Sequence, residues 1–241
     1  MNASRTAVVT GAASGIGAAV TDALLARGDR VIAVDRAPLE VERARLTAHR
    51  QDLAEEAATR ALTARIVEEN PGLDTLVLSA GDAAFAGFKE RDADFWTRNF
   101  TNNATSAIAV VRGLIPGLVR TAQETDRPVD VVVVGAISSG IAFAGSVVFS
   151  AAAAALESFA DQLHIECHKT GIRVRNLHVG YVVSPMTESI EYSPLDADYR
   201  RFRENALLPA DVAEVVLYTI DRPRGVHLRD ISLVSTAQGW A

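Results

Sequence analysis

The chain has 241 residues, enough for one sizeable core, and its 49% hydrophobic and 22% charged residues exclude an intrinsically disordered chain. A formal net charge of −6 and the absence of a basic stripe exclude the phosphate-tracking surface that a nucleic-acid partner needs. One cysteine, Cys167, excludes an internal disulfide and a cysteine zinc cluster, and apolar runs such as 131–134 and 151–156 are too short to cross a bilayer. With no apolar leader before the first strand, the cytoplasm is the expected location.

Short β-branched runs alternate along the chain with long alanine-rich stretches. The first run, 6–10, reads as a strand and is followed by a helix over 15–27. A second strand at 30–34 and a very short one at 48–51 precede a helix over 54–69. Strands at 73–79, 129–134, 174–179 and 230–234 then alternate with helices at 92–121, 146–170 and 209–221. Strand–helix alternation implies right-handed βαβ crossovers and parallel pairing. The strands are mostly continuous in apolar residues, as expected where helices cover both sheet faces. The fold class is therefore α/β, and no linker, repeat or low-complexity block divides the chain.

The segment Thr10-Gly11-Ala12-Ala13-Ser14-Gly15-Ile16-Gly17 follows the first strand and opens the first helix. Such a glycine-rich turn brings backbone N–H groups and a helix N-terminus up to a pyrophosphate, because no Cβ blocks the approach. Asp35 ends the second strand, where an acid accepts hydrogen bonds from adenosine ribose hydroxyls. Its charge opposes a 2′-phosphate, which favours NAD as the cofactor; Arg36 beside it leaves room for NADP. The strand, turn, helix, second strand and acid occur in the order that this use requires.

These residues resemble the short-chain dehydrogenase/reductase family, and the resemblance runs along nearly the whole chain. Thr10 to Gly17 is similar to the TGxxxGIG motif, and Asp52-Leu53 to the Asp-hydrophobic pair beside the adenine ring. Leu78-Ser79-Ala80-Gly81 resembles an altered NNAG motif. Trp96 to Pro116 is similar to the long family helix, with Asn103 on its active-site asparagine. Val179-Gly180 stands where the family has Pro-Gly, and Ser184-Pro185-Met186 resembles its Thr-Pro-Met segment. The tail from Val226 to Gln238 is similar to that of one branch of reductases and alcohol dehydrogenases. The resemblance implies a single-domain Rossmann fold over residues 1–241, with a doubly wound, mostly parallel seven-stranded sheet, helices on both faces and a substrate lid at 184–208. It places the cofactor against Gly11, Ser14, Gly15, Ile16, Gly17, Asp35, Arg36, Asp52, Leu53, Ala80, Gly81 and Gly180.

The family's chemistry rests on Tyr-x-x-x-Lys on one helix face, with a serine thirteen residues before the tyrosine. This chain has Phe149 at the tyrosine position, Ala153 at the lysine position and Ala136 at the serine position. A phenyl ring has no exchangeable proton. Losing a general acid or base costs about two to four powers of ten in rate. Ser138 and Ser139 are close enough to replace the serine after a small slip, but neither restores a proton donor.

Asn103 alone survives among these positions, and a helix-interior asparagine also serves simply to bond a backbone carbonyl. Tyr181 and His178 flank Gly180 and are the substitute proton donors on offer, against a packing role for each. Asp161, His164 and His168 have helical spacing that suits a metal, against a solvated or subunit-facing surface; the expectation is no metal. Ser138, Ser139, Ser146 and Ser150 lack a His–acid pair at hydrolase spacing.

In the lid, Glu188, Glu191, Asp196, Asp198, Arg200 and Arg201 read as a solvated surface. The leading expectation is a dinucleotide-binding relative whose ordinary carbonyl/alcohol oxidoreduction is lost or very weak. It would then bind, sense or scaffold an unknown small molecule. The alternative is an active NAD(P)-dependent oxidoreductase using Tyr181, His178 or a water held by Asn103. A non-redox isomerase or eliminase has no specific support. A homodimer or homotetramer is expected through helices 92–121 and 146–170, where Ala104, Ala107, Ala155 and Ala160 would allow close packing.

Overall fold

The computed structural model describes residues 4–39, 43–83, 85–142, 144–188 and 205–238. Seven strands form one sheet: β1 (Thr6–Thr10), β2 (Arg30–Asp35), β3 (Leu46–Arg50), β4 (Thr75–Leu78), β5 (Val129–Ala136), β6 (Ile172–Val179) and β7 (Asp230–Leu233). Their order is β3-β2-β1-β4-β5-β6-β7, and every pairing between them is parallel. This is the doubly wound Rossmann sheet expected from the alternation of elements.

The helices are α1 (Gly15–Arg27), α2 (Glu56–Glu69), α3 (Ala93–Phe100), α4 (Ser106–Glu124), α5 (Val147–Cys167), α6 (Pro185–Glu188) and α7 (Pro209–Ile220). Alternate strand residues feed two cores. Val8, Ile32, Leu76, Val131 and Val174 pack with α2, α4 and α5 through residues such as Leu62, Leu114 and Leu156. Ala7, Val31, Val77, Val132 and Leu177 pack on the opposite face with α1 and α7 through Leu24 and Val216. The two-residue period of a strand thus divides one apolar run between two helix layers.

Boundaries differ from the sequence expectation where packing overrides local pattern. β5 runs on to Ala136 because β6 pairs with it from Val129↔Ile172 to Ala136↔Val179. β3 starts at Leu46, two residues early, since its register is set by Val31↔Leu46; its largely exposed side chains give little apolar signal. The single helix expected at 92–121 is instead α3, a π-helical turn over Thr101–Thr105, and α4. Such turns insert one extra residue into a helix and occur often at functional sites.

Of the small residues expected at a subunit contact, Ala155 is half-buried on α5 and the other three are covered. Ala104, Ala107 and Ala160 are buried within this chain. Ala107 and Ala160 join the core beneath α4 and α5, so they say nothing about a partner.

One charged cluster sits near the N-terminal ends of the central strands. Asp130, fully buried, accepts hydrogen bonds from Arg5 (3.1 Å), from Arg173 through two nitrogens (2.8 Å each) and from Arg175. Burial pulls the Arg175 guanidinium down to about 10, while Asp130 works to keep it charged. Nearby, the His164 and His227 rings lie 4.9 Å apart. Burial first, then Arg175, His164 and Arg173, push His227 down to about 4, against a main-chain hydrogen bond at Val174.

Asp130→Asn leaves buried guanidiniums without their shared counter-charge and is expected to lower unfolding free energy by about 3–5 kcal/mol in urea titrations. Below pH 6.5 an unfolded His227 takes a proton that the folded one refuses until about pH 4. The neutral ring therefore contributes stability that is present above pH 6.5 and lost as pH falls through that window. The melting-temperature advantage of the wild type over His227→Gln should shrink across it.

Candidate functional site: a dinucleotide cleft opening into an apolar chamber

The C-terminal ends of β1 and β4 are neighbours, and the chain leaves them toward opposite edges of the sheet, which opens a crevice. Thr10 closes its floor: its hydroxyl oxygen accepts from the Ser79 and Ala80 N–H groups, both at 3.1 Å. Gly11 follows with φ +68°, and a Cβ there would lie 2.9 Å from Ala80 Cα and from Ser79 O. Only glycine meets both the dihedral and the clearance.

A cleft of about 360 Å³ lies above this floor. Gly11, Ser14, Gly15, Ile16, Asp35, Arg36, Asp52, Leu53, Ala80 and Gly81, ten of the twelve residues expected to meet a cofactor, line it. Gly17 does not: it sits behind the turn, where a Cβ would overlap the Gly11 carbonyl oxygen, so it sets the fit of helix to strand. Gly180 lines the neighbouring chamber instead.

The cleft suits a dinucleotide. Ser14 precedes α1 in extended conformation without a capping side-chain hydrogen bond, and no acid occupies the first turn. The first N–H groups of α1 are therefore left free of a side-chain cap, the arrangement that suits an anion. Asp35 accepts from the Ala13 N–H (3.0 Å) and the Ala37 N–H (2.8 Å), which fixes its carboxylate at the cleft rim. Arg36 is exposed, with its guanidinium 3.9 Å from Asp82. Gln51, Asp82 and Asn102 also line this cleft and were not anticipated, since they lie on loops and a π-helical turn without a motif.

Ile16, Ser79, Ala80, Gly81, Ser184 and Met186 form the boundary with a second cavity of about 520 Å³. Ala136, Phe149 and Ala153 line it together. Phe149 packs on Phe85 with ring centroids 4.8 Å apart. Among the described residues lining this chamber, Tyr181 is the only one with an ionisable side chain. The chain's two lysines, Lys89 and Lys169, are exposed elsewhere.

Asn103 lines the chamber but is committed to the scaffold. Its Oδ1 accepts from the Asp82 N–H, and its Nδ2 donates to the Asp82 and Asn99 carbonyls, each at 2.9 Å. Gly81 leaves space for this clamp, since a Cβ there would stand 2.8 Å from the Asn103 Oδ1.

His178 is not brought to the site: it lies outside both cavities, with Nδ1 4.0 Å from Glu157 on α5. Adjacent residues on a strand point to opposite faces, which separates it from the Val179 side. Asp161, His164 and His168 also diverge. Asp161 accepts from Asn176, His164 packs against His227 with the rings tilted by 49°, and the His168 Nδ1 lies 2.6 Å from the Ile165 carbonyl oxygen. No group of three or more possible metal ligands occurs among the described residues.

Ser150 donates to Ser146, whereas Ser138 faces the chamber. Gln238 also lines the chamber, carried back from the chain's tail against Gly180; no local pattern in the sequence signals that return. Of the expected lid, Pro185–Glu188 forms α6 and Leu207 bridges to Val182. Glu191, Asp196, Asp198, Arg200 and Arg201 lie outside the described residues.

Residues 5–194 match the sequence profile described as short chain dehydrogenase. The chain is 24% identical over 243 residues to the NADP-dependent 3-hydroxy acid dehydrogenase YdfG of Escherichia coli, covering 97% of this chain and 96% of the relative. It is also 24% identical over 239 residues to an uncharacterized oxidoreductase of Staphylococcus saprophyticus, covering 95% and 96%. Among solved structures, the closed form of serine dehydrogenase complexed with NADP+ superposes with a TM-score of 0.86 at 24% identity, over 98% of this chain and 97% of that one. An actinorhodin polyketide ketoreductase with NADPH gives a TM-score of 0.85 at 22% identity, over 98% of each chain. The backbone agreement speaks for the fold, and the profile match, which spans most of the sequence, establishes that this chain belongs to the short-chain dehydrogenase family.

Proposed function

We propose that the protein binds a nicotinamide dinucleotide in the 360 Å³ cleft and a small molecule in the adjoining chamber, with ordinary carbonyl/alcohol oxidoreduction lost or very weak. The observation that carries this reading is the chamber wall. Phe149, Ala153 and Ala136 present only carbon where a phenol, an ammonium and a hydroxyl would handle the proton. A bound nicotinamide supplies hydride chemistry, but a substrate oxygen also needs a proton partner within hydrogen-bond reach. Asn103 spends both Nδ2 hydrogens and one Oδ1 lone pair on Asp82 and Asn99 and holds loop to helix. The protein then works as a binding or sensing module that retains the dinucleotide cradle.

For the cofactor, the fixed carboxylate of Asp35 supports NAD over NADP, because a 2′-phosphate would meet a like charge. Arg36, exposed and turned toward Asp82, offers only partial compensation. The NADP dependence in the name of the E. coli relative points the other way, which makes this preference a sharp test. A second reading rests on Tyr181, which lines the chamber and carries a phenol; in it, turnover proceeds with Tyr181 as the donor. The outward faces of α4 and α5 expose Ile108, Val147 and Ile165, which supports a homo-oligomer through these helices. The absence of a basic stripe supports a function without nucleic acid, and a cytoplasmic location fits a dinucleotide-binding role.

Fluorescence titration should show NADH binding, with NADH preferred to NADPH by about tenfold, the equivalent of roughly 1.4 kcal/mol. Asp35→Ala should erase or reverse that preference. No binding of either form at millimolar concentration would defeat the reading. Against a panel of ketones and alcohols the wild type should be silent. Steady turnover abolished by Tyr181→Phe would establish the second reading instead. Installing Phe149→Tyr, Ala153→Lys and Ala136→Ser together should raise NADH oxidation with generic ketones by about two to four powers of ten.

A further inference from the structure

Among the described residues, no aspartate, glutamate, lysine, arginine or histidine lines the chamber. A charged ligand would lose its hydration there without meeting a counter-charge, and that loss is costly. The volume of about 520 Å³ is that of a small-molecule site.

The polar side chains along the wall are engaged with the scaffold. Asn103 gives both Nδ2 hydrogens to the Asp82 and Asn99 carbonyls. The Thr187 hydroxyl donates to the Val182 carbonyl at 2.8 Å and accepts from the Ser184 N–H at 2.9 Å, with the Ser184 hydroxyl oxygen 3.2 Å away. The Gln238 Oε1 accepts from the Tyr181 N–H at 3.1 Å. The Ser138 hydroxyl oxygen and the Gln238 Nε2 are closed off from the cavity surface. Ser79 and Tyr181 complete the polar side chains of the described wall, and neither is a cation.

The remainder of the wall is mainly carbon. Phe85 and Phe149 line it with ring centroids 4.8 Å apart and planes tilted by 50°, beside Ile141, Leu156 and Val182. A flat ring laid against this pair meets aromatic surface in two orientations, and edge-to-face and offset contacts are the favoured ones. Phe149 and Ala153 stand four residues apart on α5, on one helix face. One contributes a phenyl ring to the wall and the other a methyl group.

We infer that the chamber takes an uncharged, mainly apolar ring compound, and that Phe149 and Ala153 are the residues that determine this preference. The two side chains that leave the wall without a phenol or an ammonium also make it a surface for carbon. This inference rests on the reading of the chamber as a ligand site and is independent of whether NAD or NADP occupies the cleft.

The test is equilibrium dialysis of the full chain against four probes on one naphthalene frame: 2-ethylnaphthalene, 2-acetylnaphthalene, 2-naphthoate and 2-naphthylmethylammonium. The two neutral probes should bind at least about tenfold more tightly than either ion. Phe149→Ala removes the aromatic face and should weaken both neutral probes about three- to tenfold. Ala153→Lys sets an ammonium in the wall and should strengthen 2-naphthoate relative to 2-ethylnaphthalene by at least about tenfold. If one of these variants does not fold, the other and the four-probe ranking decide the matter.

No binding of any probe, an ion bound as tightly as the neutral pair, a folded Phe149→Ala that holds the neutral probes like wild type, or a folded Ala153→Lys with the ranking unchanged would overturn the inference. NADH titration of the same preparations separates the two readings. Intact NADH binding without preference for the neutral probes defeats the chamber inference alone. Lost NADH binding with that preference intact defeats the dinucleotide reading alone.

Discussion

The Thr10 hydroxyl, bonded to the Ser79 and Ala80 N–H groups, is the contact on which the whole site depends. The β1–β4 ladder pairs residues only as far as Val9↔Val77, and beyond it the chain turns one way after β1 and the other way after β4, so the two turns need a further contact to hold them together. Thr10 supplies that fixation with one oxygen and two donors. Gly11 permits it by presenting no side chain to Ala80. The N-terminus of α1, the Asp35 rim and the loop that Asn103 holds all take their positions from this junction.

From the junction two cavities diverge with different chemistry. The cleft is walled by glycine, a helix terminus and acids, and the chamber by aromatic and aliphatic carbon. Ile16, Ala80 and Gly81 belong to both, so a ligand in one abuts a ligand in the other. Under the proposed function, fold and cofactor cradle persist while proton-handling groups are exchanged, because the cradle is built from β1, β2 and the first turn, whereas Ala136, Phe149 and Ala153 sit on β5 and α5.

Much of this was legible in the sequence because it depends on local rules. Parallel topology follows from strand–helix alternation, and the glycine turn followed by Asp35 marks the cleft. Phe149, Ala153 and Ala136 lie on β5 and α5, whose apolar patterning fixes both elements, and the three meet in the chamber. What escaped the sequence depends on long-range return of the chain. Gln238 reaches Gly180 from the tail, and Phe85 reaches Phe149 from a loop, with no periodicity to announce either. His178 lies outside both cavities, since proximity to Gly180 along the strand says nothing of the face to which a side chain points. The π-helical turn at Thr101–Thr105 was likewise invisible, because its residues are compatible with an ordinary helix; tertiary bonds from Asn103 to Asp82 hold it.

The Asp130 hub lies near the strand N-termini, and the two cavities lie beyond the strand C-termini, with the apolar layers between them. Rigidity and recognition are thus anchored at opposite poles. A substitution in the pocket leaves the arginine–aspartate knot untouched, and the body of the molecule keeps its shape while its mouth is rewritten. Such an arrangement gives a lineage freedom to abandon one reaction and take up another occupant without passing through an unfolded ancestor.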